Sequence, residues 1–160
     1  DCLLSRGLGD VYKRQAVLYP TAGARLYIAD APGSAPGPPW VEIGETEALG
    51  TLGIEWDTAQ VVHPSCTGPA QTLSAKSHQV PVVMQIVLGN DPVDPGQAIL
   101  WRAARSEQPY PFRLVDASGR QRTWVALVTS LHEVFDTANS IMKLQADLLP
   151  EGSITRDGEP

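Results

Sequence analysis

Residues 94–131 read DPGQAILWRAARSEQPYPFRLVDASGRQRTWVALVTSL, and the way this stretch divides decides the fold. Its first third has helical spacing. Asp94 is placed as an N-cap, Pro95 occupies the first helical position, and Gln97 sits third, a capping-box arrangement for the unpaired amides of a first turn. Ile99, Leu100, Ala103 and Ala104 follow at the spacing of one helix face, and Pro109 ends the element. One helix over about 95–106 is predicted. The remainder changes period. PFRLV and QRTWVALVTSL flank Asp116–Gly119, which is turn chemistry, so a β-hairpin is expected. Trp124, Ala126 and Val128 fall on one side of its second strand; Val125, Leu127 and Leu131 fall on the other.

Outward from this block, almost everything alternates. ARLYIAD (24–30) sets Leu26 and Ile28 against Arg25 and Tyr27, a half-buried strand. The turn residues YPTAGA precede it, and APGSAPGPP (31–39) follows as a loop that can supply neither helix nor ladder. WVEI (40–43) reads as a short strand, and TLGIEWD (51–57) puts Leu52, Ile54 and Trp56 on one face. QVPVVMQIVLG (79–89) is the longest apolar stretch and reads as one strand, with Pro81 near its start. NSIMKLQADLL (139–149) closes the pattern with Met142, Leu144, Ala146 and Leu148. The fold class is therefore mainly β: an antiparallel sandwich or barrel with one flanking α-helix and a long loop at about 57–79. A single domain over 16–154 is expected, with 155–160 as a flexible tail.

The opening stretch DCLLSRGLGDVYKRQ stands apart. Its longest apolar run is Leu3-Leu4, too short for a secretory signal, and Asp1 and Asp10 argue against a transit peptide. It resembles translated sequencing-adapter read-through from environmental assemblies, and the lack of an initiator Met fits a frame cut at a contig edge. Residues 1–15 are therefore expected to be a non-native extension. About 145 residues remain, enough for one domain with a sizeable core. Setting aside Arg6, Lys13, Arg14, Asp1 and Asp10 takes the formal net charge from -6 to -7. Such an acidic chain is poorly suited to gripping phosphate backbones, which needs Lys and Arg to displace counterions. It suits a passage that a polyanion slides along without sticking. No apolar run approaches the length of a membrane span, so no membrane partner is expected. Without Cys2, Cys66 is alone, and no disulfide framework arises.

Chemistry is sparse. His63, Cys66 and His78 could hold zinc with a water at the fourth position, which keeps a small Cys/His zinc protein or hydrolase as an alternative. They lack paired short spacing, and solvated or interface side chains are the preferred reading. Asp91 and Asp94 show no calcium-loop spacing. His132 and Glu133 adjoin without a placed nucleophile, and no Gly-rich phosphate loop opens a helix. No catalytic residue, cofactor or metal is expected, and the chain reads as no enzyme.

The order of elements carries a resemblance. From about Thr21 to Ile154 the chain resembles the major tail tube proteins of long-tailed, lambda-like bacteriophages. TAGARLYIAD is similar to their first strand, residues 94–131 to their helix and hairpin, and NSIMKLQADLLPEGSI to their last strand. The resemblance implies a structural virion protein that forms homohexameric rings. The rings stack with other tail proteins into the tube that conducts DNA to the host, without binding the DNA specifically. It implies a place in the virion tail, after assembly in the host cytoplasm. A tail terminator of similar fold is the near alternative. In that family a long early loop reaches the neighbouring ring; by position it falls on 57–79, which makes Val61, Val62, His63, Leu73 and Lys76 the candidate inter-ring residues. The loop is expected to be mobile in a free subunit and to order against the next ring. It departs from the family in holding only Asp57 against Lys76, where the family's loop can be strongly acidic.

Overall fold

The computed structural model describes residues 17–33, 39–63, 68 and 71–157. Residues 1–15 and Cys66 lie outside the described residues, and with them the readings made of the opening stretch and of that thiol. The described elements are β1 (Arg25–Ala29), β2 (Trp40–Ile43), β3 (Thr46–Ala48), β4 (Glu55–His63), β5 (Gln71–Val80), β6 (Met84–Gly89), α1 (Pro95–Arg105), β7 (Tyr110–Val115), β8 (Gln121–Val134) and β9 (Lys143–Arg156). Among the described residues the fold is mainly β with one helix, as the alternation predicts.

Seven strands form one antiparallel sheet in the order β2-β1-β7-β8-β9-β6-β3. Its two ends, β2 and β3, are separated in sequence by Gly44 and Glu45 alone. Two residues cannot span a flat seven-stranded sheet, whose neighbouring strands stand about 4.8 Å apart. The sheet therefore curls until its edges meet, and the architecture is barrel-like. The register of β8 against β9 shifts twice, between Thr123 and Val125 and between Val128 and Ser130. Such irregularities bend a strand and increase its twist.

Curling gives the sheet an inside. Leu26 and Ile28, Met84, Ile86 and Leu88, Trp124, Ala126 and Val128, and Leu144, Ala146 and Leu148 all point inward and are buried. Removing a side chain of this size from water contributes about 1.5–3 kcal/mol. Phe112 and Trp124, directly opposed in the β7–β8 ladder, stack with ring centroids 6.0 Å apart. Ile99, Leu100 and Ala103 bring one face of α1 into the same core. On the outer face, the Arg113 guanidinium lies between the rings of Tyr27 and Trp40, 4.5 and 5.1 Å from their centroids.

The first turn of α1 closes the seam where the sheet's ends meet. Asp94 Oδ2 accepts from the amides of Gln97, at 3.0 Å, and of Gly44, at 3.1 Å. The Gln97 side chain is buried, and it does not reach back to the Asp94 amide as a capping box would have it. Its Nε2 donates to the carbonyls of Gly44 and Gly89, at 3.2 and 2.8 Å, and its Oε1 accepts from the Asp91 amide at 3.0 Å. Gln97 thus ties the β2–β3 link to the end of β6. Gly96 allows the approach: a Cβ there would stand 2.2 Å from the Glu42 carbonyl oxygen and 2.6 Å from Ile43 Cα.

Three expectations are corrected. The segment at 57–79 leaves the barrel, but its backbone is paired as the β4–β5 hairpin instead of forming a loop. Residues 79–89 are two strands, with the ladder broken at 81–83, where Pro81 lacks a donor and a new direction begins. Thr155 and Arg156 continue β9 opposite Thr123 and Arg122, and Asp157 exchanges backbone and side-chain bonds with Gln121. Residues 155–157 are therefore paired with the start of β8 and are not a flexible tail.

The β7–β8 turn is built around Asp116. Its Oδ1 accepts from the amides of Ser118 and Arg120, and Gly119 adopts φ +89° to complete the turn. The Ser118 hydroxyl first, and then the Arg122 guanidinium, hold the Asp116 carboxyl well below the usual carboxylate range. A depressed pKa contributes stability that is present above the unfolded-state pKa and is lost as pH falls through the folded value. An NMR titration should therefore place Asp116 below ordinary aspartates, and Ser118→Ala or Arg122→Ala should raise it. An Asp116 midpoint in the ordinary range, unmoved by either variant, would show that the turn is not held this way.

Candidate assembly interface

β4 and β5 form a two-stranded ribbon that pairs with nothing else among the described residues. Thr58, Val61, Val62 and Thr72 supply β-branched residues suited to extended backbone. The ladder runs from Glu55↔Val80 at the root to His63↔Gln71 near the tip, with one irregularity. Asp57 opposes His78 while Thr58 opposes Lys76, so Ser77 is an extra residue on β5. Local bonds hold this bulge. Ser77 Oγ donates to the Asp57 carbonyl at 3.1 Å, and Asp57 Oδ1 accepts from the Thr58 amide at 3.0 Å. His78 Nδ1 lies 3.1 Å from Ser77 Oγ, and its Nε2 lies 3.8 Å from Asp57 Oδ2.

Because side chains alternate with period two, one extra residue reverses the facing of every later residue on that strand. Beyond the bulge Leu73 and Ala75 share a face with Val61 and Ala59, which makes that face apolar. The other face carries Trp56, Val62 and Lys76, with the Lys76 ammonium 5.2 Å from the Trp56 ring centroid. Neither face is covered by the described residues. Residues 55–62 and 72–79 are all exposed, with Val61, Val62 and Leu73 each more than half accessible. A hairpin with no third strand and no covered face is marginal in water.

Of the candidate interface residues, Val61 and Leu73 share one face of the outer half of the ribbon and Val62 lies on the other, while Lys76 sits nearer the root, opposite Thr58. His63 lies at the end of β4, and its backbone pairs with Gln71. His63 and His78 do not meet. Six positions separate His63 from Asp57, the partner of His78, which is about 20 Å along a strand. One zinc ion cannot take both, and among the described residues no three His, Cys, Asp or Glu group to hold a metal. His132 and Glu133 are ladder residues of β8, opposite Gln145 and Leu144. Among the described residues no helix is long and apolar enough to cross a membrane.

Sequence reasoning missed a second open feature. Among the described residues β6 pairs with β9 only as far as Leu148, so 149–154 present one strand edge without a ladder partner. That edge borders an open groove whose other wall is the ribbon root, from Gly53 to Glu55 and from Gln79 to Val82. Unpaired edges are templates for another chain. The signal for it was Pro150 and Gly152, which interrupt the alternation and hide the strand's length.

No protein-family model and no curated protein matches the sequence. Solved structures do match in shape. The chain is similar to one from the PVC sheath/tube terminator of an extracellular contractile injection system in its extended state. That match has a TM-score of 0.63 and 14% identity and covers 89% of this chain and 99% of the other. It is similar to a chain of the PVC sheath-tube complex, with a TM-score of 0.62 and 12% identity over 88% and 91% of the two chains. The SPP1 tail tube matches with a TM-score of 0.52 and 14% identity over 88% and 80%. This chain has the fold seen in tail tubes and tube terminators.

Proposed function

We propose that this chain is a structural tail protein of a lambda-like long-tailed phage. Its copies close into hexameric rings, and the rings stack into the tube that delivers DNA to the host. The observation that carries this reading is the uncovered ribbon. A two-stranded excursion with an apolar outer face, standing beside a free edge of β9, is an assembly element awaiting a partner. Likeness of fold to the SPP1 tail tube supports the same reading. Closing a ring would cover side-by-side edges, and stacking would cover the ribbons. The formal charge of -6 suits a lumen that DNA passes without binding. No catalysis is assigned, and the particle's tail is the location that follows.

The likeness to a sheath/tube terminator favours a second reading, in which the chain forms one ring at the end of a tube. Negative-stain microscopy of the purified protein over a range of concentrations separates the two. Stacked rings or tubes are the expected result. Single rings that never stack would select the terminator reading, and monomers at every concentration would overturn both.

A further inference from the structure

The ribbon and the β3–β6 pair belong to one long hairpin that is bent in the middle. Ala48 pairs with Val87, and Glu55 pairs with Val80. From the first pair to the second, each strand advances by seven residues, so the register is carried across a gap in the ladder. The gap holds Gly50 at φ +70°, Gly53, and Pro81, which lacks a donor. A kept register with a broken ladder marks a bend between two arms, with 49–54 and 81–83 as the hinge. One arm is fastened to the barrel, because β6 pairs with β9; the other is the ribbon.

Backbone facing decides what the free arm can meet. Alternate residues of a strand turn their N–H and C=O groups to opposite edges. The Gly89 amide donates to the Glu45 carbonyl at 2.7 Å, and a Cβ on Gly50 would stand 2.4 Å from the Gln85 carbonyl oxygen. Gln85 and Gly89 therefore face β3, while Met84, Ile86 and Leu88 face β9. Continued through the hinge, this alternation turns Pro81 toward Ile54 and turns Val80 and Val82 toward β9. The missing donor of Pro81 costs a bond within the hairpin and none to β9.

β6 and β9 pair without a shift from Gly89↔Lys143 to Met84↔Leu148. Extended by the same steps, Val82 falls opposite Pro150 and Val80 opposite Gly152, where β9 has no ladder partner on that side among the described residues. Pro150 offers a carbonyl there and no donor, which suits the Val82 amide. Between the two walls lies an open groove of about 770 Å³. Val80 and Val82 line one wall and Leu149 and Ile154 the other, all four only half-buried.

We propose that the ribbon is a hinged strap with a second, closed position in the isolated subunit. Closing lays Val80 and Val82 along β9 at 150–152, so that β5 and β6 become one strand. The groove then shuts on its four apolar side chains, and the strap covers a strand edge that would otherwise template another chain. Ribbon position and edge availability are thus linked, since the edge is open only while the strap is out. Both partners belong to one chain, so the device goes beyond the tube reading and does not depend on it.

Disulfide trapping tests it. In full-length protein carrying Cys2→Ser and Cys66→Ser, Gln79→Cys and Ser153→Cys are introduced together; the two positions are exposed on opposite walls of the groove and meet in the closed register. Gln79→Cys with Glu133→Cys, at the far end of β8, is the remote control. Under mild oxidation of dilute monomer, the first pair should form an intramolecular disulfide at least about tenfold faster than the control, because the sulfurs must come within bonding geometry. Equal rates, or dimers only, would overturn the strap. In the trapped protein the Val82 amide should exchange its hydrogen at least about tenfold more slowly than after reduction, since it now has a ladder partner. A disulfide that leaves Val82 exchange unchanged would show a loop contact without strand extension, and the closed register would fall. Since the protein is monomeric throughout, either failure leaves the tube reading standing.

Discussion

Gly96→Val should lower the melting temperature by about 12 °C, corresponding to roughly 3 kcal/mol for a domain of this size. The first atom of any side chain at this position would stand 2.2 Å from the Glu42 carbonyl oxygen and 2.6 Å from Ile43 Cα. Both obstacles are backbone, so no rotamer change makes room. The helix must lift from β2, and the lift separates Gln97 from the Gly44 and Gly89 carbonyls and Asp94 from the Gly44 amide. Each of those buried groups then lacks a partner, at about 1–3 kcal/mol apiece where water cannot replace it. Ala98→Val is the control, because Ala98 is exposed on the same turn and its β-branched replacement costs well under 1 kcal/mol in propensity. Thermal denaturation of the pair decides the matter. Equal melting temperatures would mean that the helix does not approach the strand as closely as described.

Replacing residues 57–78 by a short Gly/Ser linker should abolish tube formation and leave the barrel folded. Of the residues removed, 57–62 and 72–78 are exposed, and the described strands pair only with one another, so the described core loses no side chain. Circular dichroism should stay β-rich after allowance for the lost ribbon, and the melting temperature should hold within a few degrees. Polymerisation, followed by light scattering and microscopy, should vanish. Mixed into wild-type protein, the variant should cap growing tubes and shorten them. Tubes of normal length from the ribbon-deleted chain would show that stacking uses another surface, and would remove the ribbon from the assembly argument.

What the sequence announced and what it concealed follow a physical line. Residues 94–131 were legible because helix and hairpin there are specified locally. Asp94 caps the first turn and Pro95 suits its first position without help from the rest of the chain, and Trp124, Ala126 and Val128 alternate because one face of β8 is buried. The destination of the Gln97 side chain was not legible, since its partners Gly44 and Gly89 come from elsewhere in the chain. The ribbon was hidden for two reasons. Neither of its faces is buried, so no alternation of apolar residues is imposed on it. In addition, the bulge at Ser77 reverses the facing of β5 midway, which scrambles what alternation remains. The candidate interface residues were located by position in the chain, and only their strand register shows that Val61 and Leu73 form one face while Val62 and Lys76 belong to the other.

The seam carries a consequence for how the barrel opens. β3 has two ladder partners on β6, and β2 ends on the Ile43 that Gly96 abuts. Both terminal strands therefore depend on the same helical turn. In amide hydrogen exchange they should behave as one cooperative unit, opening together when that turn detaches and at a lower free energy than β7, β8 and β9. Strands remote from each other in the ladder would exchange in step, because the two-residue link that joins them is fastened to the end of β6 by a single glutamine side chain.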